Sequence, residues 1–312
     1  MRYANPYQSK VNRSFFHFLL WYFGCYKENH LLPLPNNFSF PNPIKVIDTR
    51  KPCVTWINHS TFWIRAFETS LLFDPIWSQR CSPCSFIGPK RLHLPSISLD
   101  EISSLDAVII SHNHYDHLDY YTIEYFYKKF PKLLWVVPIG VKKWFYRYFS
   151  NAYVQELVWW ERITHHGINF TSVPAQHFSG RGLFDRNKTL WMGCVIEFTQ
   201  GKRIYFSGDT GYNPFDFKEI NKRFFSIDLS LIPIGAYQPR MFMRAVHVNP
   251  NESVQIHIDI GSKLSVASHW GTFRLSSEEI ARPPYDLFLA LKKFKISCNR
   301  FRVLLPGQTI NW

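Results

Sequence analysis

Short apolar runs, separated by polar segments, follow one another along the chain from about residue 44 onward. Most of these runs are rich in β-branched or aromatic residues and are bounded by Gly, Pro, Asn or Asp, which is typical of β-strands. We therefore predict strands at CVTWIN (53–58), SLLFDP (70–75), AVIIS (107–111), LLWVVP (133–138), NFTSVPA (169–175), CVIEF (194–198), RIYFSG (203–208), LSLIPIG (229–235) and LSVASH (264–269).

Helical spacing of apolar residues appears between these runs. In TIEYFYKKF (122–130) apolar residues recur at i, i+3, i+4 and i+7, and Pro131 ends the segment. NESVQIHIDIG (251–261) closes on a glycine, which is favoured after the end of a helix. Because strands and helices intermingle throughout, we predict an α/β (α+β) fold. We expect a main domain over residues 44–312, preceded by an N-terminal extension over residues 1–43.

The extension combines aromatic, basic and Pro-rich segments. The apolar run in RSFFHFLLWYFGCYK (13–27) is short for a membrane span, which needs roughly 20 residues, and no small-x-small cleavage site follows it. Two structures remain open for it: a helix lying on a membrane surface, or a helix packed on the protein's own core. LLPLPNNFSFPNP (31–43) predicts an extended arm, because its prolines exclude regular helix.

Composition and charge narrow the class of protein. Hydrophobic residues make up 46% of the 312 residues, which allows a sizeable core. The net charge of +13 favours anionic partners such as anionic lipid, a phosphorylated substrate or nucleic acid, without choosing among them. The six cysteines are scattered over a long chain, so we expect reduced thiols and a cytoplasmic protein rather than a disulfide scaffold.

The segment DAVIISHNHYDHLDYY (106–121) carries the strongest chemical signal. Three imidazoles and a carboxylate follow a predicted buried strand within six positions. Three further predicted strands lead to a side chain of the metal-binding type, namely His177, Asp209 and His269. Strand ends along one edge are where α/β proteins usually build their sites, so we expect these groups to meet.

The residue types in this cluster favour a pair of divalent cations. In an extended segment, His112 and His114 point the same way and can bind one ion, and a turn then brings Asp116 and His117 towards a second. Imidazole and carboxylate suit Zn²⁺, with Fe and Mn as alternatives. A carboxylate such as Asp209 can bridge two cations that ionise a shared water.

The cluster resembles the hallmark loop of the metallo-β-lactamase superfamily, H-x-H-x-D-H, which here is His112-Asn-His114-Tyr-Asp116-His117. The resemblance implies a four-layer αββα sandwich with an N-terminal extension and two divalent metal ions, most simply Zn²⁺. It also implies that one metal is held by His112, His114 and His177. The second is then held by Asp116, His117 and His269, and Asp209 lies between the two.

Several short blocks resemble one branch of that superfamily, the N-acyl phosphatidylethanolamine phospholipase D branch. They are HNHYDHLD, PAQHFSGR, SGDTGYN, LIPIGAYQPRMFM, HVNP and SHWGTF, and the similarity covers roughly residues 44 to 285. The branch implies hydrolysis of a phospholipid phosphodiester by a metal-bridging hydroxide, releasing phosphatidic acid. Asp116 and Asp209 would then be catalytic, with His247 as a proton donor or phosphate contact. Peripheral contact with the inner face of a membrane, through the N-terminal segment, is expected.

Three other functions stay open on sequence alone. The same site in other superfamily members opens lactones, β-lactams or thioesters. Nucleic-acid cleavage would suit the charge, but no dense Lys/Arg run or RNA-binding appendage is present. A membrane-docked protein with purely structural metals is disfavoured, because structural zinc sites are closed and often use Cys. His59, Arg240 and Arg244 are weaker candidates for roles near the site.

Overall fold

Two β-sheets lie at the centre of the computed structural model, which describes residues 2–7, 33–41, 48 and 50–312. The strands of the first sheet are β1 (Cys53–Asn58), β2 (Thr61–Ala66), β3 (Thr69–Phe73), β4 (Ala107–Ile109), β5 (Leu134–Pro138), β6 (Tyr153–Leu157) and β14 (Thr309–Asn311). Those of the second sheet are β7 (Arg162–His165), β8 (Ile168–Val173), β9 (Gly193–Glu197), β10 (Arg203–Phe206), β11 (Leu229–Pro233), β12 (Leu264–Ser268) and β13 (Phe301–Arg302).

Each sheet has an antiparallel half and a parallel half. The first runs β14-β1-β2-β3-β4-β5-β6 and becomes parallel from β3 to β6. The second runs β13-β12-β11-β10-β9-β8-β7 and is parallel from β10 to β13. Parallel strands are normally buried on both faces, which explains the nearly continuous apolar composition of β4, β5, β11 and β12.

Helices cover the outer faces of both sheets. Their bounds are α1 (Tyr120–Lys129), α2 (Lys142–Tyr148), α3 (Asp216–Phe224), α4 (Arg240–Met243), α5 (Pro250–Asp259) and α6 (Arg282–Phe294). Apolar residues of α1 and α2 pack in one cluster on the first sheet, and those of α3, α5 and α6 pack in another on the second. A third cluster fills the space between the sheets, with Ile64, Phe73, Ile109, Phe170, Ile196 and Leu231 among its members.

This arrangement confirms the predicted α/β class and the four-layer αββα sandwich. All nine predicted strands and both predicted helices are present. The helix α5 begins with a capping box, in which Asn249 and Glu252 each bind the other's main-chain N–H, and Pro250 follows at the first helical position. The strands that were not predicted are β2, β6, β7, β13 and β14, which are polar in part, or only two or three residues long.

The N-terminal extension is described only in part. Residues 33–41 form a turn and irregular backbone, and the predicted arm over 31–43 stays a prediction. The predicted helix in segment 13–27 lies outside the described residues, and the domain division at residue 43 stays a prediction. Within the described ranges, no helix is both long and apolar enough to cross a bilayer. The five cysteines of those ranges are free thiols.

Candidate metal centre

Four strands end at one edge of the sandwich, and each leads to a side chain of the predicted cluster. Strand β4 leads to segment 112–117, and β8, β10 and β12 lead to His177, Asp209 and His269. Strands β10 and β12 are linked by parallel pairing through β11, and β8 runs in their direction because both β8 and β10 are antiparallel to β9. Carboxyl-terminal strand ends of both sheets therefore supply the site.

A glycine allows the two sheets to approach closely at this edge. Gly208 has φ of 57°, and a Cβ atom built on it would lie 2.6 Å from Cβ of Ser111. Any side chain here would meet that atom in a backbone conformation that L-residues avoid. The turn that carries Asp209 can therefore press against the residue that precedes His112.

His112, His114 and His177 form the first group of candidate ligands. Nε2 of His112 lies 2.8 Å from Nδ1 of His114, which in turn lies 3.3 Å from Nε2 of His177. Two nitrogens that share a tetrahedral Zn²⁺, at bond lengths of about 2.0–2.1 Å, are about 3.3 Å apart. The three ring nitrogens are thus spaced to bind one cation.

Asp116, His117 and His269 form the second group. Oδ2 of Asp116 lies 3.2 Å from Nε2 of His117 and 3.4 Å from Nε2 of His269. Oδ2 of Asp209 lies 3.2 and 3.1 Å from the same two nitrogens, and 3.9 and 3.7 Å from Nε2 of His112 and His177. The Asp209 carboxylate therefore lies between the groups, and all seven predicted ligands are together.

Unpaired buried atoms in this cluster fit a cation. Nε2 of His117, Nε2 of His269 and Oδ1 of Asp209 are buried and have no hydrogen-bond partner among the described residues. Unpaired polar atoms of this kind are costly, so their clustering at one point calls for a ligand. Imidazole and carboxylate together are a donor set that suits Zn²⁺ and similar divalent ions. The residues present therefore fit the two cations that the sequence predicts.

The outer nitrogen of three imidazoles is tied to a hydrogen-bond partner. Nδ1 of His117 donates to Oδ2 of Asp74 at 2.6 Å, and Nδ1 of His177 donates to the main-chain oxygen of Val246 at 2.9 Å. Nδ1 of His112 lies 2.8 Å from Oγ of Ser111, which itself donates to Asp74. With the proton held at Nδ1, each ring directs the lone pair of Nε2 into the site.

Burial and neighbouring charges shift the pKa values of these imidazoles in different directions. Burial lowers the pKa of His177 to about 4, and burial with nearby imidazoles lowers the pKa of His112 well below its usual value. Burial also disfavours charge on His117, but the surrounding carboxylates, Asp209 foremost, raise its pKa well above the usual value. The first group is thus held in the neutral form that a metal would need, and His117 would give up a proton on binding a cation.

The sequence analysis missed Asp74, which is fully buried and has φ of 36°. It accepts hydrogen bonds from His117 and from both the main chain and the hydroxyl of Ser111. A signal for it existed, because SLLFDP is a predicted strand that ends in a carboxylate. What the sequence does not reveal is that β3 lies directly beside β4, whose end carries the histidines.

His247 and His59 both lie at the cluster. The His247 ring centroid is 5.0 Å from that of His177 and 5.2 Å from that of His269, and its Nδ1 has no partner among the described residues. His59 places Nε2 3.0 Å from Oδ2 of Asp116. Both sequence candidates are therefore near the candidate ligands.

Arg240 supports His247 rather than facing an open space. Its guanidinium donates to Glu252 at 2.7 Å and to the main-chain oxygen of His247 at 3.0 Å. The Arg244 side chain is largely exposed and lies 3.8 Å from the Glu252 carboxylate. These contacts give no support to a phosphate-binding role for either arginine.

Comparison with known proteins agrees with this geometry. A sequence profile described as the beta-lactamase superfamily domain matches residues 69–270. The chain belongs to the metallo-β-lactamase superfamily. Within that superfamily it is 38% identical, over 80% of its length and 76% of the relative, to N-acyl-phosphatidylethanolamine-hydrolyzing phospholipase D 1 of Caenorhabditis elegans. It is 34% identical to the mitochondrial enzyme of the same description from Saccharomyces cerevisiae, over 75% of this chain and 50% of that one.

A solved structure shares the fold. It is a possible metal-dependent hydrolase from Veillonella parvula, with a TM-score of 0.65 and 20% identity, and the match covers 84% of this chain and 100% of that one. The branch of the superfamily expected from the short sequence blocks is confirmed by the two phospholipase D relatives. The protein is therefore a metal-dependent hydrolase of the metallo-β-lactamase fold.

Proposed function

We propose that the protein hydrolyses the phosphodiester bond of N-acyl phosphatidylethanolamine-like phospholipids in the manner of a phospholipase D. The observation that carries this proposal is the seven-residue cluster in a chain that is 38% identical, over 80% of its length, to an enzyme described by that reaction. The products would be phosphatidic acid and an N-acylethanolamine.

The candidate ligands divide the catalytic work. His112, His114 and His177 would hold one divalent cation, Asp116, His117 and His269 would hold the other, and Asp209 would contact both; we propose Zn²⁺. When bound, such a pair activates water as a nucleophile near neutral pH and stabilises charge on a phosphoryl group. The negative charges of Asp116 and Asp209 would offset the repulsion between the two cations.

His247 suits contact with the phosphate. Burial lowers its pKa well below the usual value, so the ring is neutral near pH 7. A neutral ring can donate one N–H to a phosphoryl oxygen, and it carries no imidazolium proton for a leaving group. The hydrogen bond from Arg240 to its main-chain oxygen helps to fix its position. Of the two roles expected from the sequence, phosphate contact is therefore the one we propose.

A recess beside the metal loop supports an amphipathic substrate. It has a volume of about 490 Å³, and its lining includes Tyr115, Tyr120, Trp144 and Arg181. The Arg181 guanidinium lies over the Tyr115 ring at 3.9 Å, so a cation and aromatic faces stand together next to His114 and Asp116. Aromatic walls suit an acyl chain or a lipid backbone, whereas Nη1 of Arg181 already donates to the main-chain oxygens of Asn113 and Leu118.

Exposed apolar side chains near this recess support contact with a lipid surface. Leu183 is 93% exposed, Phe184 79% and Phe86 73%, although such residues are normally covered. They follow the recess-lining residues Arg181 and Ser85 closely in the chain. With a net charge of +13, a surface of this kind favours anionic phospholipid. We propose that these loops add to the N-terminal segment in peripheral binding at the inner face of a membrane.

The test is a substrate panel with metal analysis. Full-length protein loaded with Zn²⁺ is given N-acyl phosphatidylethanolamine in vesicles, a soluble phosphodiester, a lactone, a thioester and single-stranded RNA, with products identified by mass spectrometry. We expect phosphatidic acid and N-acylethanolamine from the lipid. Asp209→Ala and His114→Ala should lose both turnover and metal.

Each other outcome identifies a rival function. Turnover of the lactone or thioester alone would replace the proposal by a small-substrate hydrolase. Cleavage of RNA with a steep dependence on salt would indicate a nuclease. Metal-loaded protein that turns over none of these compounds would support a binding protein. Full activity and metal content in both variants would reject the assignment of the ligands.

A further inference from the structure

The first residues of the chain contact the loop that carries a candidate ligand. The main-chain N–H of Tyr3 donates to the main-chain oxygen of Asn187 at 2.8 Å, and the Tyr7 ring packs on Phe215 with centroids 4.7 Å apart. Between these two contacts lies Asn5. The segment 2–7 is therefore held on both sides of that asparagine.

The carboxamide of Asn5 binds the main chain of His177 on both sides. Nδ2 of Asn5 donates to the main-chain oxygen of His177 at 2.7 Å, and Oδ1 accepts from the main-chain N–H of His177 at 3.2 Å. Oδ1 also accepts from Nε1 of Trp191 at 3.0 Å, and the same indole N–H donates to the oxygen of Ala175. One planar side chain thus makes the pair of hydrogen bonds that an adjacent strand would make.

His177 needs such a partner because it lies beyond the end of the sheet. Strand β8 ends at Val173, and the pairing of β8 with β9 ends at the same residue. Gln176 forms an isolated bridge with Gly211, which leaves the next residue outside regular pairing. His177 is buried, so its main-chain groups depend on protein partners rather than on water.

The ring of His177 is fixed at its other end. Its Nδ1 donates to the oxygen of Val246, and its Nε2 lies 3.3 Å from Nδ1 of His114. A ring with a fixed nitrogen and a fixed main chain has little freedom left, so Nε2 keeps its place in the first group of ligands. Partners of this kind, outside the ligands themselves, commonly change metal affinity by 10–100-fold.

We propose that Asn5 is a positioning residue for the metal centre: it fixes the main chain of His177 and so contributes to binding of the cation held by His112, His114 and His177. The N-terminal segment is then part of the site and not only a lead into the fold. This inference rests on the metal-binding part of the proposed function and not on the substrate.

The test compares Asn5→Ala with Tyr7→Ala in the full-length protein. Tyr7→Ala is the matched control, because it removes a contact of the same segment without touching His177. Zn²⁺ affinity is measured by competition with a chromophoric chelator, and Co²⁺-loaded protein is examined by visible absorption. We expect Asn5→Ala to weaken one of two Zn²⁺ sites by about 10–100-fold and to alter the Co²⁺ bands. Tyr7→Ala should keep the Zn²⁺ affinity of the wild type.

A second variant separates geometry from charge. Asn5→Asp keeps an acceptor for His177 N–H and Trp191, but it turns an oxygen towards the His177 carbonyl. Added negative charge alone would strengthen cation binding, whereas loss of the donor should weaken it as in Asn5→Ala. Circular dichroism and the melting temperature of the metal-free variants show whether they fold.

The outcomes that overturn the proposal do not depend on the substrate. Wild-type Zn²⁺ affinity in Asn5→Ala, or equal losses in Asn5→Ala and Tyr7→Ala, would reduce Asn5 to a stabilising contact. Failure of the wild type to bind Zn²⁺ would overturn it together with the metal centre. Normal Zn²⁺ binding without lipid hydrolysis would reject only the proposed substrate and leave the role of Asn5 standing.

Discussion

Asp74 accepts a 2.6 Å hydrogen bond from Nδ1 of His117, and both side chains are completely buried. The same carboxylate accepts hydrogen bonds from the main-chain N–H and the hydroxyl of Ser111. Asp74 therefore fixes both ends of the loop 112–117, through Ser111 just before it and His117 at its end. Burial raises the pKa of Asp74, although the bonds from His117 and Ser111 oppose that shift. Two donors of Ser111 and one of His117 point at the Asp74 side chain, so both of its oxygens must act as acceptors.

We predict that Asp74→Asn lowers metal affinity by about 10–100-fold and lowers kcat with it. Asparagine offers one acceptor oxygen and turns an NH₂ group towards donors, so His117 loses its fixed tautomer. Zn²⁺ competition assays measure the effect. The control is Asp106→Asn, which alters a carboxylate bound to the main-chain N–H of Ser70 at the other end of β4. Equal metal affinity in both variants would contradict the role given to Asp74.

We predict that His247→Ala lowers kcat by about 10²–10³-fold, as loss of one hydrogen-bond donor to the phosphoryl group would, and leaves both cations bound. The reason is that His247 is placed to contact the phosphate, whereas His177 and Asp209 beside it are candidate ligands. Steady-state kinetics on the lipid substrate test the loss in kcat, and mass spectrometry tests whether both cations stay bound. Loss of a cation from this variant would instead indicate that His247 is a ligand. Its ring nitrogen lies close enough to the ligand atoms of His177 and Asp209 for the three to bind one ion.

His257 should contribute to the pH dependence of the stability of the metal-free protein. This buried ring lies 2.7 Å from Oγ of Ser265, and burial lowers its pKa to about 4. The unfolded chain takes up a proton below a pH of about 6.5, but the folded chain does so only near 4, so stability is full above about 6.5 and falls as the pH drops towards 4. The loss amounts to about 3 kcal/mol at most.

His257→Asn should reduce that dependence, because an amide does not titrate, whereas the buried imidazoles of the metal cluster keep their own contribution. Urea unfolding of both proteins in chelator, between pH 7 and pH 4, measures the difference, and working without metal removes proton competition at the ligands. Between pH 7 and pH 4 the wild type should lose up to about 3 kcal/mol more stability than the variant. Parallel curves across the range would show that another group carries the effect.

The exposed apolar loops should matter for vesicle binding. We predict that Leu183→Asp with Phe184→Asp lowers binding to anionic vesicles by at least about tenfold, because two side chains can no longer enter the lipid. Hydrolysis of a soluble phosphodiester and metal content should not change. The control is Phe225→Asp, which changes another exposed aromatic ring. The main-chain oxygen of Phe225 accepts a hydrogen bond from Arg203 at the start of β10, so this residue lies at the edge of the sandwich opposite the candidate metal centre. Sedimentation with anionic vesicles measures the binding of both variants, and equal losses in the two would contradict a specific role for the loop 183–184.

The sequence predicts the ligands better than it predicts their support. His112, His114, Asp116 and His117 are adjacent in the chain, and each later ligand follows an apolar strand, so local pattern alone indicates them. Asp74 and Asn5 act through contacts between distant segments: β3 beside β4, and the N-terminus against residue 177. Such pairings depend on the order of strands and on the path of irregular chain, which hydrophobic period does not encode. Strands β6 and β7 escaped prediction because exposed or polar positions interrupt their apolar pattern.

The two sheets contribute unequally but jointly to the cluster: the loop after β4 belongs to the first, whereas His177, Asp209 and His269 belong to the second. Cations bound here would clamp one half of the sandwich to the other at the edge where Gly208 meets Ser111. Separation of the halves would then require loss of the metal, and the free energy of unfolding would rise with the concentration of free metal ion, by about 4 kcal/mol at a thousandfold excess over Kd. Withholding the metal would then remove the catalytic centre and lower the stability of the protein in the same step.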